Sequence, residues 1–336
     1  MNRFLYFIAL ILLVSCSSSN STSSRLQKNE RLMEKMRSLA TIDIPKSSSI
    51  QLGEDVKYLA SDPLQGRDTG SEGIEKAAQF LENRFKRLGI DSFYETYRDD
   101  FEVKEDSAFN VVATLPGSDG LLKNEIVVFG AHYDHIGMTD AGTEDHIANG
   151  ANDNATGTAT VLSIAKILKE VDFNRRTVVF ALFSAEEKGL LGSKHLAQRM
   201  KDDGLNVVAM VNFEMTGVPM KDRSYIAYLT GYDMSNMGAI FNQENKKITA
   251  TGKLEKAAEF NLFQRSDNYP FYEVFNIPAQ TFCTFDFTNF DHYHKVGDET
   301  ELMDPRHMAD VVDALTPGIL NVVNKNELKL TPKTDE

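Results

Sequence analysis

The chain has 336 residues, 42% of them hydrophobic and 25% charged, with a formal net charge of −13. This is an ordinary globular composition, long enough for one large α/β domain or two small ones. The acidic balance argues against nucleic acid or an anionic membrane surface as partners, and suits a chain that gathers carboxylates around cations.

The amino terminus, Met1–Cys16, reads MNRFLYFIALILLVSC. Arg3 is a charged head, and the apolar run Phe4–Val14 is too short to span a bilayer as an ordinary helix but has the size of a signal core. Leu13-Val14-Ser15-Cys16 resembles a bacterial lipobox, whose cysteine is lipidated and becomes the first mature residue; the alternative is a plain secretory signal cleaved near Ser17. A multiply acylated cysteine would anchor stably. Ser17–Ser24 (SSSNSTSS) is a flexible polar tether, and Arg25–Leu39 is expected to form a short helix. The other cysteine, Cys283, sits in an apolar run without a disulfide partner and reads as a small buried hydrophobe.

Leu52–Ala60 is predicted as a short helix and Asp62–Arg67 as a turn. Ser71 then caps an amphipathic helix with Ile74, Ala77, Ala78, Leu81, Phe85 and Leu88 on one face, ended by Gly89. Ala108–Leu115 and Glu125–Gly130 are strands, and Thr156–Lys169 is a helix. Thr177–Phe183 (TVVFALF) is a buried strand that runs through a turn into the helix Leu190–Met200. Asn206–Phe213, Ser224–Leu229 and Pro278–Thr284 are further strands, and Asp304–Asn324 is a terminal helix expected to break at Pro317-Gly318. Strands alternating with helices imply an α/β fold whose mostly parallel sheet is covered on both faces.

Chemistry gathers at the ends of these strands, where open α/β sheets bind ligands. Glu186 and Glu187 follow Thr177–Phe183, and adjacent carboxylates repel unless a cation or a shared proton holds them. His132 and Asp134 follow Glu125–Gly130; two residues apart in extended chain they point the same way, and a carboxylate commonly fixes the orientation of a ligating histidine. Asp153 in GANDNATG precedes a helix, where Asp153 or Asn154 could equally be an N-cap. Glu214 ends another strand, and His292 and His294 follow the last one. Together these stretches offer two histidines and three carboxylates as ligands, with one carboxylate spare. That is a set for two borderline metal ions sharing a bridging carboxylate and a water. Such a pair can bind a carbonyl oxygen and generate hydroxide, with the spare carboxylate as general base.

HYD, GANDNATG, AEEKGLLGS, NFEMTG and YHKVGD, in this order and spacing, resemble the co-catalytic zinc aminopeptidases, kin of bacterial leucyl aminopeptidase, aminopeptidase Y and glutamate carboxypeptidase II. The resemblance runs from about Leu52 to the end. It implies the phosphorylase/hydrolase-like fold of that family in a single domain, and two zinc ions. Carried over by position, His132 would bind one zinc and Glu214 would complete that site; Asp153 would bridge both; Glu187 and His294 would hold the other. Glu186 would be the general base and Asp134 would orient His132, and the YHxxxD context favours His294 over His292. The implied organisation is a signal peptide over 1–15, lipidated Cys16 and tether over 16–49, a catalytic domain over 50–330 and a tail over 331–336.

The chain departs from that family in places. Glu214 stands where many members have aspartate, Ser266-Asp267-Asn268 replaces a common Ser-Asp-His, and Phe263 replaces a tyrosine near the oxyanion, a role that either falls to Tyr269 or a neighbour or is absent. His135 and His146 flank ligand loops and are expected to be structural or at the rim, with His195 and His307 at the surface. Phe260, Phe263, Tyr269, Phe271 and Tyr272 are candidates for an apolar pocket or for core. The resulting expectation is a lipid-anchored aminopeptidase of the cell envelope, facing the periplasm or in the outer membrane, acting on peptides with a free amino terminus. The alternatives are a single-zinc glutaminyl cyclase and a non-catalytic binding member of the fold.

Overall fold

Strands with no polar alternation can only sit where both faces of a sheet are covered, and Glu125–His132 and Thr177–Phe183 are such strands. In the computed structural model, which describes residues 43–331 apart from 105, 141, 143, 246–247 and 326–327, they lie side by side and parallel. The signal core, lipobox, tether and the helix expected over Arg25–Leu39 fall outside the described residues.

The strands are β1 (Asp91–Ser92), β2 (Arg98–Val103), β3 (Asp106–Leu115), β4 (Glu125–His132), β5 (Gly137–Met138), β6 (Ile147–Ala148), β7 (Thr177–Phe183), β8 (Asn206–Glu214), β9 (Tyr225–Leu229), β10 (Thr249–Gly252) and β11 (Ala279–Cys283). The main sheet runs β1-β3-β7-β4-β8-β11-β9-β10, with β2 also on β3, and β5 and β6 form a separate hairpin. Its centre, β7-β4-β8-β11, is parallel; β3 and β9 join that centre antiparallel. The sheet is therefore mixed, and the four parallel strands present their carboxyl ends together.

The helices are α1 (Ser49–Leu59), α2 (Glu72–Leu88), α3 (Gly157–Val171), α4 (Leu191–Asp202), α5 (Met237–Glu244), α6 (Glu255–Glu259), α7 (Asn268–Phe275) and α8 (Pro305–Asn324). On one face of the sheet Ile126, Val128, Val179, Ala181, Phe183 and Met210 pack with Leu196, Ala197 and Met200 of α4 and Phe271 of α7. The intervening residues point the other way: Phe180 stacks on Phe129 and on Phe85 of α2. The period of two thus feeds two cores from the same strands. From Pro45 onward the chain makes one compact unit.

Ser71 accepts a hydrogen bond from the Ile74 N–H, and Gly89 ends α2 in the left-handed region (φ 64°), as the sequence predicts. The terminal helix differs from expectation: α8 runs through Pro317 without a break. Most of its residues are buried, and Gly318 lies so close to the Phe241 ring of α5 that an added Cβ would come within 2.5 Å of it. Packing of that quality outweighs the ~3 kcal/mol preference against proline inside a helix. The sequence reading also misses β2, whose charges conceal it. Its Asp99 is fully buried, bonded to Arg199 at 2.6 Å and to Asn110 at 2.9 Å, with the His195 ring 3.3 Å away. His195 is therefore a half-buried partner of that network and not a free surface residue.

Candidate metal centre

The four parallel strands deliver the site. His132 is the last residue of β4, and Glu214 the last of β8. Glu186 and Glu187 lie three and four residues beyond β7, after Ala185, which turns the chain with φ 56°. His294 follows β11 by a longer loop. Asp153 comes from the turn Ala151–Thr156 before α3; its peptide bond to Asn154 is cis.

These side chains converge. His132 Nε2 lies 3.0 Å from Glu214 Oε1 and 3.3 Å from Asp153 Oδ1. The other Asp153 oxygen, Oδ2, lies 3.1 Å from His294 Nε2, which is also 3.2 Å from Glu187 Oε1. Asp153 therefore turns one oxygen toward each of two ligand groups. Glu186 lines the same pocket, beside both groups. His292, the competitor of His294, packs against Gly297 and the Phe290 ring instead.

Backbone amides hold the ligand loops. The Asp134 carboxylate accepts from the N–H of Glu186 (3.2 Å) and of Glu187 (3.3 Å). His132 Nδ1 is closer to the Asp134 carbonyl oxygen, at 3.1 Å, than to its carboxylate, at 3.6 Å. Asp134 thus steadies His132 through its main chain and the two glutamates through its side chain. Asp298 does the same for the Asp153 turn, accepting from Asn152 N–H (2.7 Å) and Asp153 N–H (3.0 Å). Asn154 accepts from Gly157 and Met215 N–H and donates to the Phe213 carbonyl, so it caps α3 and ties the turn to the end of β8. Ser266 donates to Glu214 Oε2 at 2.7 Å and accepts from Asn212.

Beneath the loops lies Arg67, wholly buried. Its guanidinium donates to the carbonyls of Leu59, Tyr133 (2.7 Å), Asn149 (2.7 Å) and Gly150 (2.9 Å). One residue thereby clamps the HYDH loop to the loop that leads to Asp153. Burial lowers the guanidinium pKa to about 10, opposed by the charges of Asp298, Asp134, Asp153 and Glu187. The segment Asp62–Arg67, expected as a simple turn, is a 3₁₀ segment with Gln65 and Gly66 in the left-handed region, which swings Arg67 inward.

Burial pushes the Glu186 carboxyl well above the usual carboxylate range; His132 opposes this, while Asp267, Glu214 and Glu187 add to it. Burial would also raise Asp153, but the His132 and His294 imidazoles hold it below that range. Glu187 is held down, against burial and the Asp153 charge, by His135 and His294. Against burial, Asp153 and Glu187 raise the His294 imidazole to about 10. The carboxylates thus lean on positive charge, which a metal ion supplies more strongly than a proton. Among the described residues two groups have ligand atoms close enough to hold an ion, His132-Asp153-Glu214 and His135-Asp153-Glu187. Asp153 Oδ2 is buried with no hydrogen-bond partner. Imidazole nitrogen and carboxylate oxygen form the donor set of zinc and its borderline neighbours, so the residues fit such a group.

A model of peptidase family M28 matches residues 110–317. The chain belongs to this family. It is 31% identical over 208 residues to a probable leucine aminopeptidase of Trichophyton verrucosum, covering 60% of this chain and 52% of that protein. The chain thus spans about half the length of that curated relative. Among solved structures, a zinc aminopeptidase from Bacillus subtilis superposes with a TM-score of 0.66 at 16% identity, covering 85% of this chain and 97% of that one. The glutaminyl cyclase of Fimbriiglobus ruber superposes with a TM-score of 0.63 at 20% identity, over 83% and 97% of the two chains. These likenesses establish the M28 fold.

Six of the seven residues proposed from sequence, His132, Asp153, Glu186, Glu187, Glu214 and His294, line one pocket of the M28 domain, and the seventh, Asp134, lies buried behind it on the amides of Glu186 and Glu187. The pocket wall is less as expected. Leu262, Arg265, Phe285, Phe287 and Tyr293 line it, whereas Phe271 is core and Phe263 packs edge-to-face on Tyr269 and Tyr272, which stack on each other. Asn268, in the Ser266-Asp267-Asn268 stretch, bonds to the Phe263 and Ala279 carbonyls and to Thr281. Cys283 is buried as expected, which pushes its thiol up to about 12. His146 is exposed, but His135 is neither exposed nor remote: it is fully buried, with Nδ1 3.1 Å from Glu187 Oε1. Sequence reasoning also misses Arg67; the signal available is an arginine directly after Gly66 in a short polar turn.

Arg67→Met would strand four buried carbonyls at once. Each unsatisfied buried group costs about 1–3 kcal/mol, with incomplete additivity. Urea unfolding should show a loss of about 3–5 kcal/mol, and Arg67→Lys, with three donors, should recover part of it. A Met variant within 1 kcal/mol of the parent, a figure of about the ordinary surface range, would show that the clamp contributes little.

Proposed function

We propose that this chain is a zinc aminopeptidase that releases amino-terminal residues from peptides, with two zinc ions sharing Asp153. The observation that carries this reading is that Asp153 serves two ligand groups in one pocket. His132 and Glu214 would hold one ion with it, and Glu187 and His294 the other. Names among the relatives, probable leucine aminopeptidase and probable zinc metalloprotease, support both the metal and the activity.

Bound zinc supplies Lewis acidity toward a carbonyl oxygen and lowers the pKa of water. The chain's own residues do the rest. Glu186 is the general base: it faces the pocket beside both ligand groups without belonging to either, placed to take a proton from the attacking water and return it to the leaving amine. Asp134 fixes the backbone from which Glu186 and Glu187 project, so base and ligand keep separate directions. Leu262, Phe285, Phe287 and Tyr293 give the first side chain an apolar wall, with Arg265 beside it.

A panel of aminoacyl-naphthylamides should be hydrolysed, and N-blocked counterparts should not; cyclisation of amino-terminal glutamine with saturation at one zinc would instead favour glutaminyl cyclase. Glu186→Gln keeps size and hydrogen bonding but cannot take the proton, so kcat should fall by ~10²–10⁴-fold with zinc content and KM little changed. Glu187→Gln should lose zinc. A Glu186→Gln enzyme with near-full kcat, or one that lacks zinc while Glu187→Gln keeps it, would reverse the two roles.

We further propose that the protein works at the cell envelope, tethered through a lipidated Cys16, on the strength of the apolar core and lipobox of its first sixteen residues. No helix among the described residues is long and apolar enough to cross a membrane. Cys16→Ala should move the protein from the membrane to the soluble fraction; identical soluble behaviour of both forms would remove the anchor from this reading.

A further inference from the structure

His135 is the histidine that the two-metal scheme leaves without a task. It is fully buried, and its position is built rather than incidental. Its backbone N–H donates to the Arg67 carbonyl at 3.3 Å, in the loop that the Arg67 side chain clamps. Its ring lies over Gly150, where φ is 58° and an added Cβ would sit 2.5 Å from the ring's Cγ and Cδ2. The chain therefore keeps a glycine there both for its backbone conformation and for the space the ring occupies.

Nδ1 is the ring nitrogen that faces the centre, and Nε2 is buried without a hydrogen-bond partner. Nδ1 lies 3.1 Å from Glu187 Oε1 and 3.8 Å from Asp153 Oδ2. His294 Nε2 lies 3.2 and 3.1 Å from the same two oxygens. In tetrahedral zinc sites with bonds of about 2.0–2.1 Å, ligand atoms stand roughly 3.3 Å apart. His294 meets this spacing to both oxygens and His135 meets it to Glu187, with Asp153 Oδ2 about half an ångström farther from His135, and both imidazoles address one pair of oxygens on the side of Asp153 away from His132.

We propose that His135 is a direct ligand, through Nδ1, of the ion held by Asp153, Glu187 and His294. That ion then has four protein ligands, while the ion at His132 has three. Closed four-ligand sites hold metal structurally, and three-ligand sites keep a position for substrate. The two sites are therefore unequal: the His135 side retains its ion most tightly, and the His132 side is where the reacting carbonyl oxygen binds.

This rests on the two-zinc reading above, and the test separates the two. Zinc K-edge absorption on the full chain carrying two zinc ions should give about 1.5 imidazoles per zinc, from three histidines shared by two ions. A His132→Ala protein carrying one zinc should show two. His135→Ala, folded by near-ultraviolet circular dichroism, should bind its tighter zinc more than ~100-fold more weakly in chelator competition, beyond the ~10–100-fold typical of losing an outer partner that only orients a ligand. A wild-type value of about 1.0 imidazole per zinc overturns the proposal, leaving His135 as a hydrogen-bond donor to Glu187. It is also overturned if His135→Ala matches the parent in zinc affinity. If His135→Ala does not fold, the wild-type count decides alone. If the parent saturates at one zinc, the two-zinc reading fails, and the count on that single ion, two or one, still settles the role of His135.

Discussion

Four carboxylates, Asp153, Glu186, Glu187 and Glu214, line one pocket, and they cannot share it without positive charge among them. Two unit charges 4 Å apart repel by about 4 kcal/mol at the effective dielectric of a protein surface, and more where water is excluded. The rest of the site follows from that constraint. Imidazoles are inserted between the acids: His132 between Glu214 and Asp153, and His294 between Asp153 and Glu187. Glu186 has no imidazole of its own in this alternation, and burial pushes its carboxyl above the usual carboxylate range. The arrangement thus sets Glu186 apart from the three acids that share imidazoles.

Holding such a cluster together demands a rigid frame, and the frame uses backbone groups. Asp134 and Asp298 each accept two consecutive N–H groups, from Glu186-Glu187 and from Asn152-Asp153. An anion that binds consecutive amides sets the direction of the side chains on either side of them. Arg67 works in the opposite sense, offering its donors to carbonyls of two loops. With no carboxylate of its own, it also leaves its positive charge uncommitted beneath the acids, and Asp298, Asp134, Asp153 and Glu187 all feel it. Clamp and counter-charge are one residue.

Much of this was legible in the sequence because it rests on short-range pattern. The continuous apolar runs of β4 and β7 announce central parallel strands, and carboxylates or histidines at their ends announce the ligand-binding edge. What was not legible depends on long-range partners. β2 is hidden because its buried Asp99 reads as surface until Arg199, a hundred residues on, is seen to pair with it. Arg67 reads as a turn residue because its partners are carbonyls, which every residue has and no sequence pattern marks. His135 reads from sequence as a structural or rim residue beside a ligand loop, because only the fold, which leaves strand geometry after His132, shows its ring meeting Glu187. The helix α8 survives Pro317 only because α5 and the strands pack against it.

The departures from the wider family are consistent with one another. Glu214 is longer than the aspartate common at its position, and a longer side chain gains reach at the cost of more rotamer freedom. Ser266 removes that freedom by donating to Oε2, and Asn212 and Thr281 extend the chain of bonds into β8 and β11. Only Oε1 is left to face His132. Asn268 then anchors the Ser266 segment to β11 through Ala279 and Thr281, a task an amide performs with both a donor and an acceptor. The substitution of asparagine for histidine and the substitution of glutamate for aspartate therefore belong to one arrangement. In it, a network anchored in the sheet aims one carboxylate oxygen at the centre.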